Sequence, residues 1–151
     1  MTSAFTPQER LASLKVGAIA GATTLLVEIL RLLGQRAIAV GWQGALELDL
    51  AGLSGLTFLV SSLIAGLSGF LFGVTYRYAV RTDDNPQLKS GVVGAFGLVR
   101  GLAQVDVGSA VAQNFWPFLA AAMESLILFA IAALVLDLGF RQDWLHPFRS
   151  D

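Results

Sequence analysis

Residues 53–74, LSGLTFLVSSLIAGLSGFLFGV, carry no charged side chain, and residues 115–136, FWPFLAAAMESLILFAIAALVL, carry only Glu124. A helix rises about 1.5 Å per residue and a bilayer's hydrocarbon core is about 30 Å thick, so roughly 20 apolar residues suffice to cross it. Both stretches read as transmembrane helices. Two further stretches have the length but carry charge: Leu11–Leu33 contains Lys15, Glu28 and Arg31, and Ser90–Ala112 contains Arg100 and Asp106. Neighbouring helices can satisfy polar groups inside a span. The expected fold is therefore all-α, a single integral membrane four-helix bundle with glycine-rich helix packing and spans at about 11–33, 53–74, 90–112 and 115–136.

The remaining composition agrees. Of 151 residues, 55% are hydrophobic and 14% charged, against about 25% charged in an average soluble domain. Ten basic and 11 acidic residues leave a net charge of −1, which lacks the basic footprint of nucleic-acid binding. Without cysteine there is no disulfide, thiolate nucleophile or zinc-thiolate site, and one histidine, His146, makes no metal centre. No G-x-S-x-G, H-E-x-x-H, Walker A or G-x-G-x-x-G pattern occurs. Enzymatic activity and an obligate cofactor are not expected.

Thr6-Pro7-Gln8-Glu9 supplies an N-cap threonine, a proline at the first helical position and a glutamate at the third, so the first span starts as a capped helix, unlike a cleaved signal. Arg10, Lys15, Arg77, Arg81, Lys89, Arg141 and Arg149 fall on one side of the spans, with only Arg36 clearly outside them on the other. The positive-inside rule then puts both termini and the 77–89 loop on the cytoplasmic or stromal side. There Arg77, Arg81 and Lys89 are expected to anchor anionic headgroups or dock a partner. Gly34–Gly52 is long and half apolar, and residues 45–50 alternate with period two, which reads as an interfacial segment lying on the bilayer.

Small and polar residues recur at helical spacing along three spans. They are Gly17, Gly21, Thr24, Glu28, Arg31 and Gln35 on the first, Ser62, Gly66, Gly69, Gly73 and Tyr76 on the second, and Gly94, Gly97, Gly101, Gln104 and Gly108 on the third. Such stripes let helices approach closely, and a pigment, quinone or lipid lying in the grooves is the alternative to packing alone. Glu28, Arg31, Arg100, Asp106 and Glu124 are the expected intramembrane charge network. A charge at the bilayer centre costs roughly 2.5–3.5 kcal/mol, so each needs a partner. Counting residues from the far ends places Arg100 opposite Glu124, and Asp106 within reach of Arg31. The network either fixes helix register and binds the bundle or a partner subunit, or relays protons or ions through Glu28 and Glu124, or forms a site for a ligand headgroup.

The stretch Gly69–Arg81, followed by Asp84-Asn85-Pro86-Gln87-Leu88-Lys89 and Gly91–Phe96, resembles a small four-helix membrane-protein family of cyanobacteria and chloroplasts that has no assigned activity. The resemblance implies a thylakoid or plasma membrane and brings no catalytic residue with it. The expected role is that of an accessory, assembly or scaffold protein in contact with lipid and with other membrane subunits or further copies of itself. The alternative is a small oligomeric ion- or proton-coupled transporter or channel.

Overall fold

A computed structural model of the chain describes residues 6–46, 53–80, 85–104 and 115–148. Among these are four helices and no strand: α1 (Pro7–Leu46), α2 (Leu53–Val80), α3 (Pro86–Ala103) and α4 (Trp116–Arg141). α1, α2 and α4 are each long and apolar enough to cross a membrane. α3 is not among them, because Pro86, Gln87, Lys89, Arg100 and four glycines dilute its 18 residues. The chain is an all-α bundle of membrane-spanning character.

Local chemistry sets the helix ends. Thr6 Oγ1 accepts from the Glu9 amide at 3.3 Å, opening α1 as the capping pattern requires. The Glu9 carboxylate, however, turns to Arg77. Asn85 caps α3 through its side chain, which accepts from the Gln87 amide at 3.0 Å, with Pro86 at the first position where its missing N–H is harmless. The second expected span lengthens, with α2 continuing through Tyr76 and Tyr78 to Val80, whereas the third is shifted, with α3 beginning four residues before Ser90 and ending at Ala103. Residues 105–112 of the third span lie outside the described residues.

The first part of the segment expected to lie on the bilayer over Gly34–Gly52 is helical. Helix α1 continues to Leu46, with one break at Gly41, whose φ of 79° and ψ of 164° suit glycine because it has no Cβ. Gly34 stays helical, since alanine, leucine and glutamine around it favour the helix more than one glycine opposes it. Residues 47–50 of the alternating segment lie outside the described residues.

The bundle consists of two antiparallel hairpins, α1 with α2 and α3 with α4. In the first, contacts descend α2 as they climb α1: Gly17 meets Phe70 and Val74, Gly21 meets Gly66, and Thr24 Oγ1 donates to the Ala65 carbonyl at 2.9 Å. A Cβ at Gly69 would lie 1.9 Å from Thr24 Oγ1, and one at Gly73 would lie 2.6 Å from the Ala20 Cβ. In the second hairpin Gly97 abuts Leu126, and Gly101 abuts Ala122, at 2.6 Å from a built Cβ. Gly94, expected on the same stripe, departs from it, with nothing within 4 Å of its Cβ position. The hairpins join through Phe72, Phe96 and Phe129, whose ring centroids lie 5.0 to 5.6 Å apart, with Val16, Ala20, Tyr76, Ala132 and Leu136 buried beside them.

Leucines and isoleucines on the outward faces remain exposed, among them Leu26, Leu30, Leu63, Leu67, Leu119 and Leu134. A rim of this extent is a liability in water and is satisfied by lipid tails.

Candidate functional site

Glu28 and Arg31 stand one turn apart on the inward face of α1, where they can reach both α3 and α4. Arg31 grips Glu28 with two bonds, Nε to Oε2 at 3.1 Å and Nη2 to Oε1 at 2.6 Å, while its Nη1 donates to Glu124 Oε2 on α4 at 3.0 Å. Arg100 approaches Glu28 Oε2 from α3 at 3.8 Å. Two acids and two bases thus form a formally neutral cluster that ties three helices together. Glu28 is 3% exposed and Arg100 8%, whereas the Glu124 side chain is 41% exposed on the rim of the bundle.

The expected pairing of Arg100 with Glu124 is corrected. Each instead reaches a partner on α1, because α1 carries an acid and a base on one face and so bridges the second hairpin. Arg100 also lies in the last turn of α3, next to Gln104 at the C-cap. There a cation complements the unpaired carbonyls of the helix end. Asp106, expected beside Arg31, lies outside the described residues. Glu124 is eight residues from Trp116 and 13 from Asp137, so at 1.5 Å per residue the cluster lies ~12 Å from one end of α4 and ~20 Å from the polar groups near the other.

A second polar cluster forms at the end of the bundle that holds the start of α1 and the chain beyond α4. Arg77 is 1% exposed; its Nε donates to the His146 carbonyl at 2.9 Å and its Nη1 to Ser13 Oγ at 2.7 Å, and it pairs with Glu9. Phe148 and Tyr78 flank the guanidinium at 5.7 and 5.8 Å. Lys89 pairs with Asp137 at 3.2 Å, and the Tyr76 hydroxyl donates to the same carboxylate at 3.0 Å. Arg77 is therefore not a docking side chain: it pins the start of α1 and the chain beyond α4 to the end of α2. Lys89 is likewise engaged, and Arg81 lies outside the described residues.

The spacing of α2 holds a signal for Arg77, since Gly69, Gly73 and Arg77 follow one another at intervals of four and continue the stripe that faces α1. Counting it as a loop cation hides that. Asp137, Glu9 and Ser13 carry no comparable pattern, and only the folding together of four helix ends assembles them.

Between α2 and α3 opens a groove of about 620 Å³ floored by Phe129. Ser61, Arg100 and Gln104 line one end of it, and Leu71, Ala95 and Phe96 the other. Comparison of the chain with family models, curated proteins and solved structures finds no match.

Proposed function

We propose that the chain is a non-enzymatic scaffold or assembly factor of a thylakoid or plasma membrane, with its termini on the cytoplasmic or stromal side and its apolar rim set against lipid and other membrane subunits. The observation that supports this reading best is the state of the acids in the charge cluster. Both Glu28 oxygens already accept from Arg31, and Glu28 is buried between three helices, so it serves as a fixed strut. A relay asks for a carboxylate that water can reach and that is free to change partners. Glu124 differs: it shares one bond with Arg31 and leaves much of its side chain on the rim, where a partner helix can add a donor. The close helix contacts at Gly69, Gly73, Gly97 and Gly101 give the rigid body on which such a surface is held.

Replacing Glu124 by Gln tests the proposal in the source membrane and in liposomes. The expected result is a loss of partner co-purification or of stable assembly. A variant that assembles fully and loses only a pH-dependent ion flux would overturn the scaffold reading in favour of transport.

A further inference from the structure

We infer that the interior of the bundle binds water at one level, seated on Ser62 of α2 and Ser125 of α4 and bridging them to the charge cluster. The inference uses only the packing of the four helices and is independent of the scaffold role.

Each helix sends one polar side chain, more than nine-tenths buried, into this layer: Glu28, Ser62, Arg100 and Ser125. Printed contacts between the helices fix their heights. Thr24 donates to the Ala65 carbonyl, and one turn further along the antiparallel α1 and α2 brings Glu28 beside Ser62. Arg31 bonds Glu124, which puts the next residue of α4, Ser125, within about a turn of the same level. Arg100 pairs with Glu28 from α3.

The charged members of the layer have partners, whereas Ser62 Oγ and Ser125 Oγ are buried and have none. Other hydroxyls of these helices are satisfied by their own backbone: Ser13, Thr23, Thr24, Ser68 and Thr75 each donate to the carbonyl four residues back. The carbonyl in that position for Ser125 belongs to Ala121 and is pressed against α3, 3.0 Å from a Cβ built on Gly101. An unbonded hydroxyl in an apolar core is costly, and buried polar groups that the chain does not satisfy are met by enclosed water.

Water also suits the charges. A cation is opposed by Arg31 and Arg100 and an anion by Glu28 and Glu124, so the neutral layer favours a neutral ligand. Water accepts from a serine hydroxyl and donates to a carboxylate, and an ionised carboxylate has about four lone-pair sites, of which Arg31 uses two on Glu28. Both bonds from Arg31 therefore stay in place. Room adjoins the layer: the groove of about 620 Å³ between α2 and α3 reaches inward to Arg100 and to Phe129, one turn from Ser125, and is lined by Ser61 next to Ser62. One water takes up about 30 Å³.

The test is water-edited solid-state NMR of the full chain in lipid bilayers, with carbon-13 in serine and threonine. Resonances of Ser62 and Ser125 are identified by their loss in Ser62→Ala and Ser125→Ala. At short mixing times both should gain magnetisation from water, while Thr24, equally buried but bonded to the Ala20 and Ala65 carbonyls, stays dark. In an unfolding titration in mixed micelles, Ser62→Ala and Ser125→Ala should each lower the midpoint relative to Ser68→Ala. That exposed position carries the same gain in helix propensity without a buried partner to strand. Magnetisation that reaches Ser62 and Ser125 no faster than Thr24 overturns the inference. So do midpoints that both rise above that of Ser68→Ala, the result expected when alanine relieves a dry, unbonded hydroxyl.

Discussion

Arg31 is the residue through which the charge cluster holds, because it bonds an acid on its own helix and another on α4 at once. Removing one member of a buried pair leaves the other uncompensated, which is the costly state, whereas removing both is much less so. The observed partners therefore define which double substitutions compensate. In an unfolding titration in mixed micelles, Arg31→Leu and Glu124→Leu together should destabilise the bundle less than the sum of the singles, with a coupling of about 1 kcal/mol, inside the roughly 0.5–3 kcal/mol seen for residues in one network. Arg100→Leu with Glu124→Leu should couple more weakly than that pair, since no bond joins them and they meet only through Glu28 and Arg31. The opposite pattern would restore the pairing that residue counting favours. Counting along a helix gives depth and leaves azimuth open, which is why the members of this network were legible in the sequence and their pairing was not. Two charges at similar depth meet only if their helices are adjacent and their faces turned together.

At the scale of the helix, closeness is decided by individual glycines. Gly69 and Gly94 sit in similar stripes, yet a methyl group at Gly69 would collide with Thr24 and with the Ala20 carbonyl at 2.8 Å, whereas one at Gly94 meets nothing within 4 Å. Gly69→Ala should thus force α1 and α2 apart and cost about 1–3 kcal/mol, the range for overpacking a tight contact. Gly94→Ala should be neutral or stabilise by up to about 1 kcal/mol, because alanine favours the helix over glycine. Melting of both variants in one detergent distinguishes them; equal losses would mean that the stripe acts through something other than contact. Helix existence was readable from hydropathy, and the start of α3 from Asn85-Pro86. The reach of α1 to Leu46 was less so, because glycines at 34, 41 and 44 look alike in sequence and only Gly41 adopts a non-helical conformation.

For the molecule as a whole, four helix ends converge on one layer: Glu9 of α1, Arg77 of α2, Lys89 of α3 and Asp137 of α4, with the chain beyond α4 folded back onto them through Leu145 and Phe148. The start of α1 and the chain beyond α4 belong to that end, and the proposed orientation sets it on the cytoplasmic or stromal side. The chain has no cysteine, so single cysteines at the exposed positions Gln8, Gln87 and Gln142 report orientation directly. An impermeant maleimide should label none of the three in intact right-side-out membranes and all three after the bilayer is opened, and a cysteine at Gln43 should react first from outside. Labelling of Gln8, Gln87 and Gln142 from the outer face would reverse the orientation, and labelling of only some of them would break the antiparallel arrangement. The sequence by itself determined the environment and the helical class, because the free energy of placing apolar residues in lipid is a property of each residue and sums along the chain. Only the tertiary structure decided that Arg77 is an internal pin, that Arg31 and not Arg100 holds Glu124, and that Arg100 is left facing a groove. Those outcomes depend on which helix faces come together, and electrostatic and hydrogen-bonding energies depend on that geometry over a few ångströms.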